Sequence, residues 1–453
     1  MTEVGSFEKC GIDPLRCTVV NPYDGSSEGR FVLYWMQASI RHYSNASLEY
    51  AAMVANELSL PLVVCFVLTA SYPNSMYRHL HFLDQGLSDV SRGLKKRGIR
   101  FLVRLGSPPD EILKLTPSAA FLVTDCGYIR TERKWRRKIY EKVKCPAVEI
   151  EDNVVVPVEV ASDKEEYSAR TIRPKITKHL DRFLKPIKHV VYNAELSGSG
   201  VHTVQTKFLD LVAKSLDVPK LEPTKSYKGG ETEARSILND FIENKLSHYD
   251  KRNDPNADVT SHLSPYIHFG MISPIEIALK VMGNKGSEDF LEQLIIRREL
   301  GINFVYYNSG YDDYKKAIPS WARATLKDAA SDKREYTYTL EQLEAAQTHD
   351  PAWNAAQRQM VDDGYMSGYM RMYWGKKVIE WTKKPKDAFD MLIYLNNKYE
   401  LDGRDPNGYC GVAWCFGKHD RPWTKRPIFG TVRYMNYAGL KRKFDIDKYC
   451  REN

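Results

Sequence analysis

Residues 350–385 read DPAWNAAQRQMVDDGYMSGYMRMYWGKKVIEWTKKP, and this stretch decides the fold of the C-terminal half. Asp350-Pro351 is a helix start, a capping carboxylate followed by proline at the first helical position. Asp363-Gly364 marks a break. After it Met366, Met370, Trp374, Val378 and Trp381 recur at three- and four-residue steps and make one apolar helical face. Lys383-Lys384-Pro385 supplies C-terminal cations and a stop. Trp374 and Trp381 share the face about 10.5 Å apart along the axis. A second helix, DAFDMLIYLNNKYE, and the segment LDGRDPNGYCGVAW carry the pattern to residue 414. Four of the eight tryptophans (Trp353, Trp374, Trp381 and Trp414) fall within these 62 residues.

Spacing alone makes this stripe ordinary core. Polar neighbours argue otherwise. Arg371 lies three residues before Trp374, Asn396 closes the next helix, and Asp402 follows it. An arginine and an aspartate among aromatic helices point to a buried ion pair, which is costly unless it serves something.

Upstream, apolar runs alternate with helical patterns. FVLYWM, PLVVCFVL, IRFLVRL and AAFLVTD read as buried strands, with VEIE as a fifth, and helices are expected near 46–58, 78–97, 108–115 and 130–143. That alternation predicts a Rossmann-like α/β domain with a doubly wound parallel sheet over 31–160. No GxGxxG is present. Ligands of such sheets sit beyond the strands' carboxyl ends, here near Gln37, Ser39 and Asp125. Residues 1–30 lack periodicity and read as a tail, loose or ordered on contact. From DNVVVP onward the pattern loosens, with Pro157, Pro174, Pro186 and SGSG at 197–200, so 161–215 is expected to be an interdomain linker. Residues 216–453 are helix-periodic and predict an all-α domain.

The net charge of +8, from 66 Lys+Arg against 58 Asp+Glu, favours a polyanionic partner. The eight cysteines show no CxxC and no regular spacing, which argues for a reducing compartment without a disulfide frame or metal site. No apolar run approaches a bilayer span and the N-terminus is not a signal peptide, so an intracellular, soluble protein is expected. RKWRRK at 133–138 is the densest basic run, read as a solvated helix face ahead of a DNA contact. In TSHLSPYIHFG, residues 260–270, Ser264-Pro265 is a helix start whose free N–H groups suit a phosphate.

SPYIHFG, LIIRREL, ASDKREYTY, DPAWNAAQ, GYMRMYW, IYLNNKYELDGRDPNGY and RPIFGTVRYMNYAGLKRKF, in that order, resemble the class II cyclobutane pyrimidine dimer photolyases. The resemblance runs from about residue 31 to the C-terminus. It implies a helical FAD-binding domain, a reduced anionic FAD, and light-driven splitting of pyrimidine dimers in DNA by a monomer. An antenna chromophore, such as a deazaflavin or folate, is implied for the α/β domain. Flavin contacts are implied at Tyr249, Thr260, Ser261, Leu263, Ser264, Arg371, Asn396, Asp402 and Asp405, with Asn396 at the flavin N5. Trp374, Trp353 and Trp381, in that order toward the surface, match the relay that reduces the flavin. Trp414 matches the ring that packs on the flipped dimer, and Arg252-Asn253 the residues that invade the vacated duplex. Glu292 or Glu299, seven apart on FLEQLIIRREL, is expected at the dimer carbonyl. Arg421, Trp423, Lys425, Arg426, Arg433 and the KRK at 441–443 interleave cations with aromatics, as a DNA-backbone surface does.

Three positions depart from the family pattern: Gln293 where a second glutamate is common, Ser367 where histidine is frequent, and the variable YWMQASIRHYSN. Two further function classes stay open. A cryptochrome-like light sensor would share the FAD and the tryptophans but would usually carry a tail beyond KRKFDIDKYC. A non-enzymatic nucleic-acid binder would have no flavin colour.

Overall fold

The computed structural model describes residues 7–22, 28–193 and 218–453. The five expected strands form at β2 (Phe31–Trp35), β3 (Leu62–Leu68), β4 (Arg100–Leu105), β5 (Ala119–Asp125) and β6 (Ala147–Ile150). They pair in parallel, and β1 (Cys17–Asn21) adds an antiparallel edge on β6. The sheet order is β1-β6-β5-β2-β3-β4. Helices α1 (Ala46–Leu58), α2 (Tyr77–Lys96), α3 (Pro108–Leu113) and α4 (Arg130–Tyr140) lie where the periodicity put them.

Burial shows why the sheet is doubly wound. Val32 and Tyr34 of β2 join Leu48, Leu87 and Val90 of α1 and α2 in one core, whereas Leu33 and Trp35 join Ile112 and Ile139 of α3 and α4 in another. Alternate side chains of one strand thus feed opposite faces, and a strand buried on both faces reads as an unbroken apolar run.

The N-terminal segment is ordered by contact over its described part. Phe7 stacks on Tyr50 at 4.7 Å, Cys10 and Ile12 are buried in the α/β core, and β1 pairs with β6. The expected linker is described up to 193; its remainder, with the SGSG, lies outside the described residues. Within the described part, Ala169–Thr177 and Leu180–Phe183 are short helices. They bury Ile172, Ile176 and Phe183 in the same core as Leu238, Phe241 and Phe290.

From Glu231 onward the described chain is helical apart from loops and one isolated bridge between Arg426 and Gly430. Asp350 caps the helix Pro351–Asp363 by accepting from the Trp353 N–H at 3.0 Å. Gly364 ends it in the left-handed region at φ 67°, where glycine carries no Cβ penalty. Helices Gly368–Trp381, Pro385–Tyr399 and Pro406–Cys415 follow and pack on one another. No helix among the described residues is long and apolar enough to cross a membrane.

Candidate active site

The helices Gly368–Trp381, Pro385–Tyr399 and Pro406–Cys415 enclose a cleft of about 410 Å³, lined among others by Arg371, Trp374, Asn396, Glu400, Gly408 and Trp414. Its polar centre is an arginine held by two carboxylates. Arg371 donates to Asp402 at 3.1 and 3.2 Å, to Glu400 at 2.9 Å and, through Nε, to the Met366 carbonyl at 2.9 Å. Burial would lower the Arg371 pKa, but Asp402 and Glu400 outweigh it and hold the guanidinium above its usual range. Burial pushes the Glu400 carboxyl well up despite Arg371 beside it. The expected ion pair is therefore a triad. Glu400 was not foreseen, because its role arises from the turn after the Pro385–Tyr399 helix and leaves no mark in a periodicity.

Asn396 is buried at the wall of the cleft, with its Nδ2 3.3 Å from the Asn397 side chain. Gly408 lies against it: a Cβ there would come 2.9 Å from Asn396 Nδ2. At Gly368 and Gly411, by contrast, a Cβ would meet no atom within 4 Å among the described residues beyond its own helical turn. These two glycines leave open space on the cleft side.

The tryptophans stack in the expected order. Trp374 lines the cleft and Trp353 lies parallel to it, 6.3 Å between centroids at 10°. Trp381 meets Trp353 edge-on at 5.5 Å. Hydrogen bonds fix the first two rings, Trp374 Nε1 donating to Gln357 at 2.9 Å and Trp353 Nε1 to the Trp374 carbonyl at 3.0 Å. Trp381 was expected toward the surface, yet it is only 3% exposed.

The expected glutamates do not reach the cleft. Glu292 is held by Arg173 at 2.6 Å and Arg297 at 3.1 Å. Glu299 is buried and accepts the Val155 N–H at 2.5 Å and the Val156 N–H at 3.3 Å, tying the 154–156 segment to the helical half. Burial raises its carboxyl to about 7. Glu292–Arg297 is π-helical, and the wider turn takes Glu292 and Glu299 off the common face that an α-helix would give them. Gln293 and Arg297 line the cleft instead.

Thr260 lies in a neighbouring cleft with His262, Tyr365 and Ser367, and its hydroxyl is 3.2 Å from the Tyr365 hydroxyl. Ser367 Oγ is buried without a hydrogen-bond partner among the described residues. Ser264 is the first helical residue, so the helix starts at the expected Ser264-Pro265, with Leu263 as the cap. Ser261 Oγ accepts from the Leu263 N–H at 3.4 Å. Tyr249 packs edge-on to Phe241 and Phe290 in the core. Asp405 faces away from the 410 Å³ cleft. It caps its helix through the Asn407 N–H and meets His268 at 3.3 Å on the wall of a separate 110 Å³ cavity. Gln37 lines that cavity too, but Ser39 is fully buried. Asp125 is spent accepting three N–H groups, from Gln37, Ala38 and Ser39, and pairing with Arg136 at 2.6 Å. Neither lines the cavity.

An open groove of about 830 Å³ adjoins the cleft, lined by Asn253, Trp414, Trp423, Arg426, Arg433 and Lys443 among others. Trp414 and Met372 line both spaces. Arg433 stacks 4.1 Å over Trp423 and 5.3 Å from Trp414, anchored by Asp420 at 2.9 Å, and Arg421 covers Trp423 at 5.3 Å. Below Trp414 lies Lys376, fully buried, its Nζ 5.3 Å from the ring and its pKa pushed down to about 8 by burial. A lysine inside an apolar stripe gave no sign of this in the sequence. Arg252 lies outside the groove lining, bonded to Asp289 at 3.2 Å over the Tyr249 ring.

A family model described as DNA photolyase matches residues 32–191. The chain is 48% identical over 440 residues to a deoxyribodipyrimidine photo-lyase of Methanothermobacter thermautotrophicus, covering 95% of this chain and 96% of that protein. It is 39% identical over 434 residues to the deoxyribodipyrimidine photo-lyase of Potorous tridactylus, covering 93% of this chain and 80% of that one. Among solved structures, a bacterial class III photolyase from Agrobacterium tumefaciens superposes with a TM-score of 0.72 at 17% identity, covering 95% of this chain and 87% of that one. A Synechocystis cryptochrome gives 0.73 at 16% identity, covering 93% and 88%.

Proposed function

The chain belongs to the DNA photolyase family, and from that premise we propose that it is a class II enzyme that repairs cyclobutane pyrimidine dimers in DNA under blue light, using a reduced FAD. One observation carries this reading. The cleft holding Arg371, Asn396 and the inner tryptophan shares a wall, Met372 and Trp414, with the cationic, aromatic groove.

The residues fit a flavin. Gly368 and Gly411 leave open space for a flat ring, and Ser367 Oγ is a buried hydroxyl awaiting a partner. Arg371, Asp402 and Asn396 would hold the isoalloxazine, and Thr260, Ser261, Leu263 and Ser264 the phosphate side, with Tyr249 behind. When bound, a reduced flavin would supply the light-driven one-electron chemistry that splits the dimer. The protein's own task is placement and electrostatics. The Arg371 cation favours an anionic ring beside it, and the Asn396 amide oxygen can accept a hydrogen bond from a ring N–H.

DNA recognition follows the same division. Arg421, Arg426 and Arg433 neutralise phosphates, and Asn253, with Arg252 nearby, stands at the rim to fill the space a flipped lesion leaves. Trp414 presents a ring between groove and cleft. Glu292 and Glu299 drop out as lesion contacts, since both are committed to protein partners. A second, light-harvesting chromophore belongs to the same proposal, and Gln37 on the 110 Å³ cavity is the residue to probe for it. The test is an oligonucleotide carrying one thymine dimer, illuminated with blue light beside a dark control and a (6-4) lesion. Splitting of the thymine dimer alone, in light alone, is expected. Repair of the (6-4) lesion instead would overturn the class II assignment.

A further inference from the structure

The tryptophan stack ends on a ring that is almost wholly buried. Trp381 is 3% exposed, and what covers it is a pair of titratable rings from the Asp332–Asp350 segment. Tyr338 meets Trp381 edge-on at 5.1 Å, and His349 does so at 5.5 Å. On its other side His349 stacks against Tyr336, centroids 3.6 Å apart, and Tyr336 is 40% exposed. A continuous run of rings therefore leads from Trp374 to solvent, and its last members are not tryptophans.

Two hydrogen bonds join Tyr338 and His349. The phenol oxygen accepts the His349 backbone N–H at 2.9 Å. With Nδ1 in its unprotonated tautomer, the phenol donates its own proton to His349 Nδ1, 2.6 Å away. A phenol loses an electron far more readily when its proton can leave at the same time, and here an acceptor stands in contact. Trp381 has the opposite environment. The largely buried ammonium of Lys377 lies 5.8 Å from its ring, and its carboxylate partner Glu380, at 2.9 Å, is itself partly exposed. A second positive charge on that indole is disfavoured.

We propose that Tyr338 is the terminal electron donor of the relay, with His349 as its proton acceptor. This rests on the relay reading above, in which a photoexcited oxidised flavin withdraws an electron through Trp374, Trp353 and Trp381. One electron passes from Tyr338 to the oxidised Trp381 indole and restores its closed shell. The phenol O–H bond breaks and an N–H bond forms at His349 Nδ1. The products are a neutral phenoxyl radical and an imidazolium, so the positive charge has moved from a buried indole to an exposed imidazole. A thiol in solution then returns one hydrogen atom to Tyr338. The Tyr336–Thr337–Tyr338 repeat and His349 thereby acquire a role that neither core packing nor DNA contact provides.

The experiment is laser-flash photoreduction of the FAD-loaded protein, followed by transient absorption and electron paramagnetic resonance. Wild type, Tyr338→Phe and His349→Ala are compared, and ring-deuterated tyrosine labels the radical. Tyr338→Phe keeps the ring that covers Trp381 and removes only the hydroxyl, so an unchanged melting temperature is expected. Wild type should give a phenoxyl signal narrowed by the label, formed as the tryptophan signal decays and slowed in D2O. Tyr338→Phe should lose it and show faster charge recombination. His349→Ala should keep the tryptophan signal but lose the prompt phenoxyl and its isotope effect. A tryptophan signal that decays identically in wild type and Tyr338→Phe overturns the inference and leaves the relay standing. Absence of any tryptophan signal in wild type overturns both.

Discussion

Replacing Glu299 by glutamine separates a structural carboxylate from a lesion contact. In the fold Glu299 is buried beneath Val155 and Val156, and burial raises its pKa from 4.5 to about 7. A group whose folded pKa is raised binds its proton more tightly in the native state. Its favourable contribution is therefore full below the unfolded value and is lost as pH rises through the folded one. A shift of about 2.5 units at 1.36 kcal/mol each gives about 3 kcal/mol lost between about pH 4.5 and 7. Glutamine mimics the protonated acid, keeps an acceptor for the Val155 N–H and cannot ionise. The assay is urea or thermal unfolding of wild type and Glu299→Gln at several pH values. The variant is expected to be close to wild type at the acid end and more stable above pH 7, by up to about 3 kcal/mol. Glu151 nearby is raised to about 8 and adds a slope of the same sign, which the wild-type-minus-variant difference removes to first order. Repair should be unchanged. An identical pH slope in both proteins would refute the linkage, and a loss of about tenfold or more in repair rate, worth 1.36 kcal/mol of barrier, would put Glu299 back at the lesion.

Three further outcomes follow from the same geometry. Trp374→Phe should block photoreduction of oxidised flavin while sparing repair by chemically reduced protein, checked by flash photolysis and by a dithionite-reduced repair assay. Gly411→Leu places a side chain on the cleft wall, where a Cβ meets no atom within 4 Å among the described residues beyond its own helical turn. The apoprotein should melt normally and yet take up no flavin, read from its visible absorption. Arg426→Ala should weaken DNA binding evenly across sequences and reduce the slope of log K against log salt by about one. A flat salt response in wild type would remove the groove as a DNA surface.

The α/β half was legible because parallel strands buried on both faces are written as unbroken apolar runs, and each of the five expected runs forms a strand. Strand β1 escaped because CTVVN is a short edge with Val19 exposed, and its partner β6 lies far along the chain, a pairing that no local pattern records. In the helical half, the Asp350-Pro351 cap, the Gly364 stop and the shared face of Trp374 and Trp381 were local and readable. Glu400 and Lys376 were not, since what makes each unusual is burial, which no local pattern records. The shared face expected for Glu292 and Glu299 does not form, because the arithmetic of 3.6 residues per turn does not survive a π-helical turn. The groove was readable because its cations and aromatics are close neighbours between Arg421 and Arg433.

The central claim is that the helical half cages a flavin against a space open to a flipped lesion. Its most direct measurement is the light-minus-dark yield of restored thymines per reduced, FAD-loaded protein on dimer-bearing DNA. The expected result is many turnovers under blue light and none in the dark. A protein that takes up no flavin, or that takes it up and leaves dimers intact under illumination, would contradict the account.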